Sequence, residues 1–331
     1  MKTQEVVTAL GPLAPLYVDP EVLEIMVDAP DLVYVDRQRK LEATDVRFDS
    51  PEALRAVIDR VLALVGIALS PENPTGEMRL PDDARLVAVV PPTALDGPTL
   101  VIRKPSPYKM TWEQLIEYGS VTAEARDFLR NAIRTGVNTL VAGGPSAGKV
   151  TVANMLAEMI PTDQRLVVVE QRHEMRIDHP HRVWLEAGGP ANLTLADLLK
   201  TASQMRPDWL IVGEMFGAEA MRALQVMSLG YNGITLIHAT GPEDALSRLE
   251  TFCLMANLGL GLAEIRHLIA SAIQLITYQE RLPDGSRKFM QFVELAGLEG
   301  DLHYKLKPLF RFNADKKVLE HTGEHPAWEK R

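Results

Sequence analysis

The stretch NTLVAGGPSAGKVTVANML, from Asn138 to Leu156, decides how this chain is expected to fold. An apolar run typical of a strand leads into a glycine-rich segment, and a segment with helical character follows. Gly143, four further residues, Gly148 and Lys149 match the first seven positions of the phosphate-loop pattern. In such a loop the glycines let backbone N–H groups turn toward a phosphate, and the helix N-terminus adds a favourable field. The pattern predicts a strand, a phosphate-binding loop and a helix.

The next position departs from the pattern. Ser or Thr is expected there because its hydroxyl coordinates Mg²⁺, whereas this chain has Val150. Valine has nearly the shape of threonine, so we expect the loop to fold while the metal loses one ligand. Thr151 lies about 100° further round the helix and cannot easily replace that hydroxyl. Taken alone, the incomplete pattern fits a glycine-rich turn without ligand equally well.

Strand-like and helix-like segments alternate after this loop. The apolar runs RLVVVEQ, DWLIVGE and GITLIHA are separated by segments with helical spacing, which favours a largely parallel sheet covered on both faces. The segment 260–276 looks helical, and FMQFVEL looks like a late strand. The first hundred residues instead mix short helices and strands. We therefore predict an α/β chain with an N-terminal α+β domain (1–104), a linker (105–120) stiffened by Pro105 and Pro107, a nucleotide-binding domain (121–312) and a charged tail (313–331).

Composition narrows the possible functions. The 331 residues carry a formal net charge of −9, so a generally basic nucleic-acid-binding protein is not expected. The single cysteine, Cys253, cannot form an intrachain disulfide, which fits a reducing cytoplasm. No segment has the length and apolarity of a membrane span, and the N-terminus is a poor signal peptide. We expect a cytoplasmic protein that contacts a membrane only through partners and does not bind nucleic acid directly.

Several motifs downstream of the loop resemble one family. The stretch MRPDWLIVGEMFGAEAMRALQVMSLGYNGITLIHATGPEDALSRLE, from Met205 to Glu250, is similar to the ATPases of type II and type IV secretion systems. The nearest branch is the CpaF-like ATPases of tight-adherence pili. LGPLAPLYVDPEVLEIMVDAPDLVYVD and RLPDDARLVAVVPPTALDGPTLVIRK also fit, so the resemblance covers nearly the whole chain. It implies a RecA-like P-loop core after an N-terminal domain, a hexameric ring that is homomeric or mixed, and inner-membrane secretion or pilus platform proteins as partners.

The resemblance also assigns residues to an ATP and Mg²⁺ site. Glu214 corresponds to the glutamate that polarises the attacking water or holds the water shell of Mg²⁺, and His238 to the histidine on the γ-phosphate side. Glu170 and Glu174 occupy positions of the family's acidic residues, while Arg79, Arg85 and Arg103 match arginines of which some face the nucleotide. The phosphate-binding positions are Gly143, Gly144, Pro145, Ser146, Ala147, Gly148, Lys149, Val150 and Thr151.

Four positions lack the group that the family uses beside metal or phosphate. They are Val150, Gln171 for an aspartate, and Phe216 and Trp184 for arginines. Fixed positive charge near phosphates stabilises the transition state, so their loss favours weakened hydrolysis. One hypothesis is a slow ATPase, and the other is a non-hydrolysing scaffold or regulatory subunit of such a ring.

Two further alternatives are disfavoured. A different P-loop enzyme, such as a small-molecule kinase, needs neither the N-terminal domain nor the VGE and LIHA motifs. His173, His179 and His181 lie close in sequence, but their spacing does not match a zinc pattern.

Overall fold

The computed structural model describes residues 2–37, 40–105, 109–188, 191–300 and 303–330. The chain forms two compact units, Met1–Lys109 and Met110–Arg331. Pro107, to which we assigned a stiffening role, lies outside the described residues. Among the described residues, helices long and apolar enough to cross a membrane are absent.

The first unit is an antiparallel sheet with helices. Its helices are α1 (Thr3–Leu10), α2 (Ala14–Val18) and α3 (Pro51–Leu62), and its strands are β1 (Val22–Ala29), β2 (Leu32–Arg37), β3 (Lys40–Ala43), β4 (Thr75–Arg79), β5 (Arg85–Val89) and β6 (Thr99–Arg103). The strands lie in the order β3-β2-β1-β6-β5-β4. Helix α3 begins as its sequence predicts, because the Ser50 side chain accepts a hydrogen bond from the Ala53 N–H and Pro51 occupies the first turn.

The second unit is built on a larger, mixed sheet. Its helices are α4 (Trp112–Glu117), α5 (Ala123–Arg134), α6 (Lys149–Ala157), α7 (Leu195–Ser203), α8 (Glu219–Ser228), α9 (Pro242–Met255) and α10 (Leu262–Ala272). Its strands are β7 (Thr139–Gly143), β8 (Leu166–Glu170), β9 (Arg182–Glu186), β10 (Trp209–Met215), β11 (Asn232–His238), β12 (Leu275–Arg281), β13 (Arg287–Glu299), β14 (His303–Asn313) and β15 (Val318–His321).

The order of these strands places the ends of several parallel strands together. Across the described residues it is β15-β14-β13-β12-β7-β11-β10-β8-β9. Neighbouring strands in the part β12-β7-β11-β10-β8-β9 pair in parallel. Strands β13, β14 and β15 continue the sheet antiparallel. Apolar clusters cover both faces, with α7 to α10 on one and α5 and α6 on the other. The carboxyl ends of β7, β8, β10 and β11 therefore meet at one edge, where ligands bind in open parallel sheets.

The fold class predicted from the sequence is confirmed by this architecture. Three local expectations differ from the structure. The segment predicted as a linker contains α4, whose N-cap Thr111 and Gln114 form a capping box. The segment predicted as a charged tail contains β15, which pairs with β14. The helix expected over 260–276 ends at Ala272, and Leu275 already belongs to β12, because pairing with β7 and β13 fixes an extended backbone there.

Candidate active site

The loop between β7 and α6 requires glycine at two positions. A Cβ on Gly143 would lie 2.6 Å from the carbonyl oxygen of Gln279, on the neighbouring strand β12. Gly148 has a φ of +97°, and a Cβ there would lie 3.2 Å from Cδ of Arg287. Only glycine combines this close approach with a left-handed backbone at low cost. The loop is therefore shaped by contacts with the β12–β13 hairpin as well as by its own sequence.

Lys149 extends from the first turn of α6 back into this loop. Its side-chain Nζ donates to the carbonyl oxygens of Gly143 and Gly144, at 3.1 Å each. The same Nζ lies 3.1 Å from Nδ1 of His238 and 3.2 Å from Oε1 of Glu214. The residue is 6% exposed. One ammonium group thus links the loop to the ends of β10 and β11.

Glu214 and His238 contact each other as well as Lys149. His238 ends β11 and lies opposite Gly143 of β7 in the sheet register, and its Nε2 is 3.1 Å from Oε1 of Glu214. Because an ammonium group can only donate, Nδ1 of His238 must accept, which places the ring proton on Nε2 toward Glu214. Glu214 Oε1 is buried and faces both the Lys149 ammonium and Nε2 of His238, so the negative charge of the carboxylate offsets the charge of the ammonium.

Burial controls the charge of two of these groups. It lowers the pKa of the His238 imidazole; the Glu214 carboxylate opposes this shift, while Lys149 and Arg248 add to it. The neutral imidazole is therefore favoured at neutral pH. Burial also lowers the pKa of the Lys149 ammonium, and the carboxylates of Glu214 and Glu174 oppose that shift.

Glu170 and Glu174, at the positions of the family's acidic residues, occupy different environments. Glu170, at the end of β8, is 3% exposed, and its Oε1 accepts the N–H groups of Glu174 and Met175 at 3.0 Å each. Glu174 is exposed, and its charge acts on Lys149. The structure therefore ties Glu170 to the backbone that carries Glu174.

The residues of the loop fit the phosphates of a nucleotide better than they fit Mg²⁺. Val150 is partly buried against the apolar cluster on the α5–α6 face and supplies no oxygen, while Thr151 is exposed. In the described ranges, groups of three or more His, Cys, Asp or Glu side chains that could hold a metal are not found. A carboxylate at Glu214 can hold the water shell of Mg²⁺, but the hydroxyl ligand at the end of the loop is missing.

Phe216 stands where the family resemblance predicts an arginine. The residue is 57% exposed, and the ring centroids of Phe216 and His238 are 5.9 Å apart. The N–H groups of Phe216 and Gly217 donate to Oε1 of Glu219 in the first turn of α8. An apolar ring, with no fixed positive charge, therefore lies beside His238.

The three arginines of the first unit form a row across adjacent strands. Arg79 lies opposite Arg85 in the β4–β5 register, and Arg85 lies opposite Arg103 in the β5–β6 register. Their ion-pair partners, at 3.5, 3.2 and 3.1 Å respectively, are Asp83, Glu77 and Glu24. Like charges at directly opposed positions are unfavourable in a sheet, and these carboxylates offset that cost.

Sequence reasoning missed one residue that contacts the phosphate loop. Arg287, at the start of β13, donates from Nε to the carbonyl oxygen of Ser146 at 2.7 Å, and its Cδ packs against Gly148. Ser146 has a φ of +56°, an uncommon conformation for a residue with a side chain. The separation of 141 positions between Arg287 and Ser146 explains why no local pattern indicated the contact. Arg287 therefore helps to hold the loop in shape.

We expect Arg287→Ala to weaken binding of an ATP analogue by about tenfold or more, because a lost hydrogen bond from a charged donor costs roughly 1.5–3 kcal/mol. Titration of a fluorescent ATP analogue measures this change. Arg311→Ala, at an exposed position of β14, is the matched control and should bind like the wild type. Equal affinity of Arg287→Ala and Arg311→Ala would show that the contact with Ser146 does not support the loop.

The chain is similar in sequence to secretion and conjugal-transfer proteins, and similar in fold to a pilus motor. A protein of Mycobacterium tuberculosis named for conjugal transfer is 29% identical over 309 residues, covering 90% of this chain and 87% of that protein. The type IV secretion system protein PtlH of Bordetella pertussis is 30% identical over 294 residues, covering 79% and 86%. The pilus retraction motor PilT with bound ADP has a TM-score of 0.62 at 15% identity, covering 96% of this chain and 85% of that one. The PilT comparison concerns the fold alone.

The model of one protein family spans both units of the chain. It is described as Type II/IV secretion system protein and matches residues 7–294. This range includes most of the first unit and, in the second, the phosphate loop with its contacts Glu214, His238, Gln279 and Arg287. The chain therefore belongs to the type II/IV secretion system protein family.

Proposed function

We propose that this chain is the nucleotide-binding subunit of a ring-shaped secretion or pilus-assembly ATPase. The observation that carries the proposal is the position of Lys149, whose Nζ lies within 3.2 Å of the loop carbonyls, Glu214 and His238. In phosphate loops this lysine reaches the terminal phosphates of the nucleotide. Bound ATP would replace the loop carbonyls as the partner of the ammonium, with Glu214 and His238 beside the γ-phosphate.

The residues suggest how hydrolysis would proceed. Glu214 would orient a water molecule through its carboxylate and take its proton. The water oxygen would attack the γ-phosphorus. The bond between the γ-phosphorus and the oxygen that bridges it to the β-phosphate would break, which gives ADP and inorganic phosphate. His238 would sense the γ-phosphate from the other side of the lysine. Val150, Gln171, Phe216 and Trp184 would make this reaction slow, because they lack groups that neutralise charge as it develops.

The partners of the subunit belong to the same proposal. We expect a homo-hexamer or a mixed ring at the cytoplasmic side of an inner-membrane platform, in the manner of the CpaF-like ATPases of tight-adherence pili. The formal net charge of −9 disfavours direct binding of nucleic acid. For the three arginines of the first unit, Arg79, Arg85 and Arg103, the family resemblance implies that some of them face the nucleotide.

A second function is favoured by one observation, the missing hydroxyl at Val150. A subunit that binds ATP through backbone amides and Lys149 but does not hydrolyse it would serve as a scaffold or regulatory member of a ring. The two functions share the binding step and differ in turnover.

We expect the wild-type protein to bind a fluorescent ATP analogue that ATP and ADP displace, whereas AMP competes at least about a hundredfold more weakly. The reason is that the loop would hold the β- and γ-phosphates, which AMP lacks. A displacement titration measures this order, and phosphate release in the same samples separates the slow ATPase from the scaffold. Displacement by AMP as effective as that by ATP would place the nucleotide outside the phosphate loop.

A further inference from the structure

Trp184 contacts the side chain of Glu170 directly. It lies on β9, opposite Val168 of β8, and its indole Nε1 donates to Oε2 of Glu170 at 3.1 Å. The position therefore retains a hydrogen-bond donor toward Glu170, although the family resemblance predicts an arginine there. A tryptophan supplies one N–H, without the charge of a guanidinium.

Glu170 is fixed by contacts on every described side of its carboxylate. Oε1 accepts the N–H groups of Glu174 and Met175, and Oε2 lies 3.3 Å from Nδ1 of His173 as well as 3.1 Å from the indole. A Cβ on Gly213 of β10 would lie 3.2 Å from Cγ of Glu170, so the neighbouring strand packs against the side chain. A carboxylate so occupied has little capacity left to contact a substrate.

The Trp184 ring is itself held by neighbours. The His173 ring meets it edge-on, with centroids 5.1 Å apart and planes at 84°, and Cζ of Arg182 lies 5.1 Å from its centroid. A guanidinium stacked on an aromatic face adds a favourable cation–π contact. The indole therefore has a fixed orientation, which gives its hydrogen bond to Glu170 a fixed direction.

We propose that Trp184 and Glu170 act together as a brace, a pair of positioning residues that fixes the backbone of residues 171–175. Through Oε1 of Glu170, the brace holds the N–H groups of Glu174 and Met175 and so fixes the backbone that carries the Glu174 carboxylate. Trp184 thereby performs part of the positioning that an arginine at this place would supply. The role assigned to Glu174 rests on the proposed nucleotide site, whereas the brace itself is defined by contacts that do not depend on a nucleotide.

The first test needs no nucleotide. We expect Trp184→Phe to increase hydrogen exchange of the Glu174 and Met175 amides about tenfold, because Glu170 loses the donor that holds Oε2 in place. Trp209→Phe is the matched control: its indole Nε1 donates to Oε1 of Gln164 at 2.8 Å, so it also loses one indole hydrogen bond in the same unit. Unchanged exchange of these two amides in Trp184→Phe, relative to Trp209→Phe, would overturn the brace.

The second test joins the brace to nucleotide binding. We expect Trp184→Phe to weaken binding of an ATP analogue about three- to fivefold. Trp184→Arg should restore both amide protection and affinity, and Trp209→Phe should bind the analogue like the wild type. Faster exchange without any change in affinity would overturn the link between the brace and the proposed nucleotide site. A wild-type protein that binds no nucleotide would instead contradict the proposed function, while the exchange result would still decide the brace.

Discussion

Replacing Lys149 with alanine is expected to weaken binding of an ATP analogue by about a hundredfold or more. The ammonium is buried against the loop and lies where the terminal phosphates of a nucleotide would be held. Charge-assisted hydrogen bonds to phosphate contribute roughly 1.5–3 kcal/mol each, and the lysine can make two of them, which together correspond to about two or more orders of magnitude in Kd. Titration of a fluorescent ATP analogue measures this effect.

The control for this substitution must lose a lysine without losing the site. Lys200, at an exposed position near the end of α7, serves this purpose, and Lys200→Ala should bind the analogue like the wild type. Thermal unfolding of both variants guards against misfolding, since removal of Lys149 leaves the carboxylate of Glu214 without its cation. If a folded Lys149→Ala protein binds ATP analogues as tightly as the wild type, the phosphate site lies elsewhere in the molecule.

Much of this architecture follows from local sequence patterns. Continuous apolar runs predict the buried parallel strands β7, β8, β10 and β11, because a strand covered on both faces has no polar side. Once those strands are parallel and adjacent, residues that follow them must meet at one edge of the sheet. Glu214 and His238 could therefore be placed near Lys149 from chain order and family resemblance together.

The part of the sheet that follows α10 was harder to predict. Strand β12 follows α10 after Ile273 and Gln274, and its first residues continue the helical apolar spacing, so periodicity alone cannot separate the two elements. Its extended conformation depends on pairing with β7, more than a hundred residues earlier in the chain. The contact of Arg287 with Ser146 depends on the same pairing, and this explains why local patterns gave no indication of it.

Trp184 illustrates a different limit of sequence reasoning. Compared with the family pattern, it appears only as a lost positive charge. In the structure its N–H satisfies Glu170 and its face receives Arg182. A comparison of charges alone therefore misses that tryptophan, like arginine, supplies a hydrogen-bond donor at this position. Val150 has no such compensation, because a valine side chain cannot donate, accept or coordinate.

We expect Val150→Thr to hydrolyse ATP in the presence of Mg²⁺ at least about tenfold faster than the wild type. The substitution restores the hydroxyl that coordinates the metal in phosphate loops, and a direct metal contact is typically worth several kcal/mol of barrier. The side chain keeps nearly the same shape, although placing a hydroxyl beside the apolar cluster that Val150 contacts is expected to cost about 1 kcal/mol of folding stability. Phosphate release at saturating ATP measures the rate.

Two controls separate the metal from other effects of this substitution. Val150→Ala changes the packing without supplying an oxygen and should not exceed the wild-type rate. Titration of the ATP analogue with and without Mg²⁺ gives a readout that is independent of turnover: Mg²⁺ should strengthen binding more in Val150→Thr than in the wild type, since only the variant offers the metal a hydroxyl ligand. Wild-type turnover equal to or above that of Val150→Thr would reject impaired hydrolysis, and Glu214 together with His238 would then have to support the reaction without a hydroxyl at this position.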